Sequence, residues 1–203
     1  MPVSSSALST DSPAWHAAVQ FHGHACPGLA LGCRMSLAAI RALQLDDSFL
    51  TRQNAPFSRN LSPDEDLVCV TETDACCADA VQALLGCTLG KGNLLLKPRG
   101  KTAMSFYHRP TRKAVRVLWQ ADLHSPEGRE MPRAEKMACF LSGPEKSLLA
   151  VCEIPFAPPS RAVISRSLAC TKCGEMTAEY AVRLRDGRPF CPDCWPDPSR
   201  ILQ

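Results

Sequence analysis

The sequence predicts an α+β fold: a mixed or antiparallel sheet with helices, followed by a small C-terminal zinc module. Three observations carry this reading. Helix-like and strand-like segments alternate irregularly, with strand candidates adjacent in the middle of the chain, which argues against a doubly wound sheet. A stretch with three prolines, Ile154-Pro155-Phe156-Ala157-Pro158-Pro159-Ser160, then reads as a stiff extended linker. Beyond it stand two Cys-x-x-Cys pairs, Cys170 with Cys173 and Cys191 with Cys194, separated by the 17 residues 174–190. The division that follows is a core over residues 1–153, a linker over 154–163 and a zinc finger over 164–203.

Each element has a local reason. Residues 1–11 are Ser-rich and are expected to fray. Ser12-Pro13 joins an N-cap to a proline at the first helical position, so a helix should run to about Phe21. A second helix should cover Pro27 to Leu43, with Leu29, Met35, Ile40 and Leu43 among its apolar positions. Leu67 to Thr71 reads as a strand, and Ala75 to Leu85 as a short helix capped by Asp74 and stopped by Gly86. Leu94–Leu96, Ala103–Tyr107 and Ala114–Trp119 are further strands. Residues 129–141 should be helical, and Leu148 to Cys152 should return to the sheet. In the module, Gly174 can turn left-handed after the first cysteine pair. Arg185-Asp186-Gly187-Arg188 reads as a hairpin turn leading into the second.

Composition bounds the class. A chain of 203 residues suits one domain of about 150 residues with a small appendage. The start, Met1-Pro2-Val3-Ser4-Ser5-Ser6, carries no apolar signal-peptide core. No uninterrupted apolar run approaches the roughly 18 residues of a membrane span. The 12 cysteines are therefore expected in a reducing cytoplasm, where clustered thiols point to metal more often than to bridges. A net charge of +3 is too small to argue for nucleic acid.

Two centres carry the chemistry. Zinc needs four soft ligands in a tetrahedron, and a two-residue gap lets one tight knuckle supply two of them. Cys170, Cys173, Cys191 and Cys194 are the expected ligands of a structural zinc; two disulfides or a redox pair are the alternatives for this spacing. The second centre is Phe21-His22-Gly23-His24-Ala25-Cys26-Pro27-Gly28. In an extended segment His22, His24 and Cys26 would point to one side. Pro27 favours that geometry, because the residue before proline leaves the α region. Cys26 would then sit at a helix N-terminus, where the dipole lowers a thiol pKa. A Gly-rich turn with hydrogen-bonded histidines and a buried cysteine is the alternative.

A third stretch, Thr71-Glu72-Thr73-Asp74-Ala75-Cys76-Cys77, places acids and thiols at a strand-to-helix junction. Cys76 there should gain the same dipole stabilisation, whereas Cys77 is read as core packing. Together His22, His24, Cys26 and Cys76 make a candidate site for a second transition metal, with Asp74 or Glu72 orienting an imidazole. Cys33, Cys69, Cys139 and Cys152 are read as small buried hydrophobes. The run Gly86-Cys87-Thr88-Leu89-Gly90-Lys91-Gly92-Asn93 fails as a phosphate loop: its spacing is short, Gly92 replaces the hydroxyl residue, and a helix precedes it. An anion held by Lys91 is the weaker use of that loop.

Phe21-His22-Gly23-His24 through Cys26-Pro27-Gly28-Leu29-Ala30-Leu31-Gly32, Glu72-Thr73-Asp74-Ala75-Cys76, and Gly86-Cys87-Thr88 through Gly90-Lys91-Gly92-Asn93 resemble the E-subunit family of formylmethanofuran dehydrogenase. The resemblance covers about the first 150 residues. It implies an α+β core forming an intertwined homodimer and a C-terminal treble-clef zinc finger, although the stretch after Cys194 is short for the finger's final helix. It also implies association with a molybdenum or tungsten oxidoreductase. Three functions follow as expectations: a metal-binding accessory protein for such an enzyme, an enzyme using a metal held by the core cluster, or a metal-sensing regulator whose finger touches nucleic acid. The last ranks lowest, because Arg183, Arg185 and Arg188 form no long basic stripe and few aromatics accompany them.

Overall fold

The computed structural model describes residues 8–45, 62, 64–120 and 130–196. The chain forms two compact units, Met1–Arg161 and Ala162–Gln203.

In the first unit, α1 (Pro13–His22) begins where Ser12 Oγ accepts the Trp15 N–H at 3.3 Å and ends at Gly23, whose φ of 89° stops the helix. Leu8, expected to fray, is buried and its N–H bonds the Leu141 carbonyl at 2.9 Å. Helix α2 (Pro27–Leu43) has the boundaries the sequence implies and is buried on nearly every side. It packs against α1, against α3 (Cys77–Leu85), against α4 (Arg133–Ser142) and against the sheet, and so forms the axis of the unit. Its one buried charge, Arg34, sends Nη2 to the Gly143 carbonyl at 2.9 Å, at the negative end of α4. A four-residue helix, α5 (Glu145–Leu148), precedes the last strand of the core.

The strands are β1 (Leu67–Thr71), β2 (Leu94–Leu96), β3 (Ala103–His108), β4 (Lys113–Trp119) and β5 (Leu149–Glu153), in the order β2-β1-β3-β4-β5. The sheet is mixed: β1 runs parallel to β2, with Cys69 opposite Leu94, and the remaining pairs are antiparallel. One face, with Leu67, Cys69, Met104, Phe106, Val115 and Val117, joins the core beneath the helices. Pleating sends the alternate residues, Ser105, Tyr107, Arg116 and Cys152, to the opposite face. This corrects the reading of Cys152 as a buried hydrophobe: it is exposed, on an edge strand and on the face away from the helices. Cys139 is only half-buried, whereas Cys33, Cys69 and Cys77 are in the core.

Two features of this unit have consequences. Arg116 grips Glu72 with two bonds, Nε to Oε1 at 2.7 Å and Nη2 to Oε2 at 3.1 Å. The Arg116 hydrogen bonds hold the Glu72 carboxyl below its ordinary range, overriding the burial that pushes it up. A depressed carboxyl contributes stability that is present above its unfolded pKa, about 4.3, and is lost as pH falls through the folded value. Replacing Glu72 with Gln should therefore flatten the acid limb of a stability-versus-pH curve, read as urea midpoints from neutral pH downward. A limb as steep as wild type would show that the pair contributes nothing.

The Gly86–Asn93 loop is a clasp rather than an anion cradle. Lys91 Nζ donates to the Ser62 carbonyl at 2.7 Å, and the buried Asn93 Nδ2 donates to Ser62 Oγ, Asp64 O and Leu67 O within 3.2 Å. The lysine is committed inside the fold. The proline-rich segment also begins on the core: Phe156 meets the Tyr107 ring edge at 6.4 Å, and Arg109 Nη2 donates to the Pro159 carbonyl at 2.8 Å.

The second unit holds two hairpins, β6 (Ser167–Ala169) with β7 (Met176–Ala178), and β8 (Arg183–Arg185) with β9 (Arg188–Phe190). Asp186 and Gly187 have φ of 50° and 75°, the two positive values a two-residue I′ turn requires. The chain beyond Pro196, where a final finger helix would lie, is outside the described residues.

Candidate metal centres

In the second unit each hairpin delivers a cysteine pair to one point. Cys170 to Cys173 occupy the turn between β6 and β7, and Gly174, with φ of 79°, returns the chain. The Thr171 N–H donates to the Pro189 carbonyl at 2.8 Å, which ties the first knuckle to β9. The sulfurs of Cys170, Cys173, Cys191 and Cys194 all lie within 4.8 Å of one another. The backbone N–H groups of Cys173 and Cys191 hold the Cys170 thiol down at about 6, while bonding to the Cys191 sulfur pushes Cys194 up to about 12. Four thiols crowded so closely cannot all ionise without a cation among them. A tetrahedral thiophilic ion such as zinc fits this donor set.

The core cluster forms where three helix ends converge. Helix α1 brings His22 at its last residue, α2 brings Cys26 as its N-cap, and α3 brings Cys76 as its N-cap. Cys26 is extended, with φ of −150°, as a residue before proline should be, and its sulfur accepts the Leu29 N–H at 3.3 Å. One ligand atom each from His22, Cys26 and Cys76 lies within 4.8 Å of the other two. His22 Nε2 is 3.7 Å from Cys26 Sγ, while its Nδ1 donates to Asp79 Oδ2 at 2.7 Å. Because a carboxylate only accepts, the proton resides on Nδ1 and the Nε2 lone pair faces the sulfurs.

Several expectations change here. The segment from His22 to Cys26 is not extended, because α1 continues through His22 and Gly23 then turns the chain. His24 accordingly stands outside the three-donor group: it is exposed, with its ring 4.5 Å from that of His22. Asp74 does not cap α3; it is exposed, while the Ala75 N–H bonds Thr73 Oγ1 at 3.2 Å, a local turn that competes with a cap. Cys76 takes the cap position without a side-chain bond, so only Cys77 enters the first turn. Burial, together with Cys26, pushes the Cys76 thiol above its ordinary value instead of below it. A divalent cation reverses that balance, since it deprotonates the thiols it binds. The orienting carboxylate is neither Asp74 nor Glu72, which is committed to Arg116, but Asp79, which lies 57 residues from His22. No local pattern announces that contact.

An α+β core with a three-donor His/Cys/Cys cluster, joined to a four-cysteine module, defines a class of thiol-rich metal-binding protein. Residues 21–154 match the family described as FmdE, molybdenum formylmethanofuran dehydrogenase operon, and the chain belongs to that family. A relative from Archaeoglobus fulgidus, described as a probable S-adenosyl-L-methionine-binding protein, is 31% identical over 200 residues, covering 87% of this chain and 51% of its own length. The chain thus spans about half the length of that relative. The crystal structure of an FmdE-like protein of tungsten formylmethanofuran dehydrogenase, from Syntrophus aciditrophicus, superposes with a TM-score of 0.59, at 22% identity, over 92% of each chain. That likeness establishes the fold.

Proposed function

We propose that the chain is a metal-binding accessory protein of a molybdenum or tungsten oxidoreductase, acting as a cytoplasmic homodimer. The finger holds a structural zinc, and the core holds a second transition metal on His22, Cys26 and Cys76. The observation that carries this reading is the convergence of the three donors from three separate helix ends, with one imidazole already aimed by a carboxylate. Two thiolates and an imidazole suit a borderline-soft divalent ion. The partner class rests on the family description. Among the described residues no helix is long and apolar enough to cross a membrane.

A second reading is favoured by one feature: three protein ligands leave one coordination position free, as in catalytic rather than structural zinc sites. The exposed His24 stands beside that position and either fills it as a fourth ligand or yields it to a substrate or water. Binding of S-adenosylmethionine belongs to the name of the archaeal relative and is not adopted for this chain, which matches only half of that protein.

Elemental analysis of the purified full chain tests the proposal. Wild type should carry two metal ions per chain, and Cys26→Ala and His22→Ala should each carry one, retained by the finger. Two ions per chain in both variants would place the second site elsewhere and defeat the assignment. A dimeric mass should appear in light scattering at micromolar concentration.

A further inference from the structure

We propose that Asp79, braced by Gln82, is the positioning residue of the core centre and selects Nε2 of His22 as its ligating nitrogen. This rests on the reading of His22, Cys26 and Cys76 as a metal site and specifies how that site is built. The geometry begins with the 2.7 Å bond from His22 Nδ1 to Asp79 Oδ2. The other carboxylate oxygen is also committed, since Gln82 Nε2 donates to Asp79 Oδ1 at 3.1 Å from one turn further along α3. With both oxygens bonded, the carboxylate has little freedom to rotate away. Asp79 lies in the first turn of α3, where the helix dipole favours a negative charge. Its own N–H closes that turn on the Cys76 carbonyl at 3.1 Å.

One helix therefore carries both a ligand thiol, Cys76, and the group that aims the opposing imidazole. The spacing between those two ligands is set by three residues of α3 rather than by the longer path through α1 and α2. The bond also engages Nδ1, so that nitrogen is not free to coordinate. An imidazole that donates to a carboxylate becomes a more basic ligand through its other nitrogen, and losing such a partner typically weakens metal affinity by about 10- to 100-fold. The acids that precede Cys76 make no such bond: Glu72 is held by Arg116, and Asp74 is exposed.

Cobalt(II) titration of the full chain, with one equivalent of zinc first added to fill the finger, separates the alternatives. The absorption difference between wild type and Cys26→Ala isolates the core signal. Asp79→Asn should bind cobalt about 10- to 100-fold more weakly at the core, with a shifted ligand-field band, while the zinc retained by the finger is unchanged. Wild-type affinity and band in Asp79→Asn would overturn the assignment of Asp79 while leaving the core site standing. No difference between wild type and Cys26→Ala would instead remove the core site itself, and this proposal with it. Should Asp79→Asn fail to fold, Asp79→Glu carries the test, because the added methylene displaces the carboxylate from Nδ1. A wild-type affinity and band in that variant would overturn the proposal equally.

Discussion

Replacing Cys173 with Ser should release the finger's zinc and unfold residues 162–196, with the core left intact. The reason is the near absence of any other source of stability in that unit. Its strands are three residues long, and Ile164, Met176, Tyr180 and Leu184 are exposed. Among its described residues only Cys170 and Cys191 are buried. A unit of about 40 residues seldom folds without a staple. Structural zinc supplies about 10–16 kcal/mol in isolated finger peptides near neutral pH, more than the hairpins could recover by other means. Zinc stoichiometry and amide resonances of the 162–196 segment are the measurements. Full zinc retention, or unchanged finger resonances, would show that the four sulfurs do not share one ion. Loading is also acid-sensitive in a stated direction: thiols as high as that of Cys194, at about 12, must lose their protons to the metal, so zinc should leave as pH falls.

The parts of this protein that could be read from its sequence are those in which local chemistry decides. Helix α2 was legible to the residue because an N-capping position, a proline and a sustained apolar run agree about where it starts and stops. The I′ turn at Asp186-Gly187 and the cysteine spacing are local in the same sense. The core cluster was legible in composition but not in geometry. Alternation placed His22, His24 and Cys26 on one side only if the segment were extended, and the helical continuation of α1 through His22 undid that premise. What brings His22 and Cys26 together is the left-handed turn at Gly23, which folds the chain back so that the last residue of one helix faces the cap of the next. Asp79 and the Ser62–Lys91–Asn93 clasp were not legible, because each depends on residues far apart in the chain. The Glu72–Arg116 pair joins the end of β1 to the far face of β4 and was hidden for the same reason.

Gly32→Ala should destabilise the core by about 3 kcal/mol or more, the largest loss expected from adding a single methyl group anywhere in α2. A Cβ at Gly32 would stand 2.4 Å from the Cys77 carbonyl oxygen, 2.6 Å from its Cα and 2.8 Å from the Ala80 Cβ. The first two are backbone atoms of α3, which cannot swing aside as a side-chain tip can. Intrinsic helix propensity runs the other way, since Ala is favoured over Gly by about 1 kcal/mol in a helix interior. The sign of the change therefore decides between the two effects: close packing predicts a lower urea midpoint at unchanged slope, propensity a higher one. One turn earlier, Gly28 lies on the same face of α2, and a Cβ there would meet the Cys76 Cβ at 3.2 Å, a contact that a small displacement relieves. The two glycines thus let α3 approach α2 closely enough for Cys76 to reach Cys26. Forcing the helices apart at Gly32 should separate the donors, so whatever Gly32→Ala protein remains folded should also bind metal poorly at the core. A Gly32→Ala chain as stable as wild type, with core metal affinity intact, would show that the α2–α3 contact is looser than the structure has it.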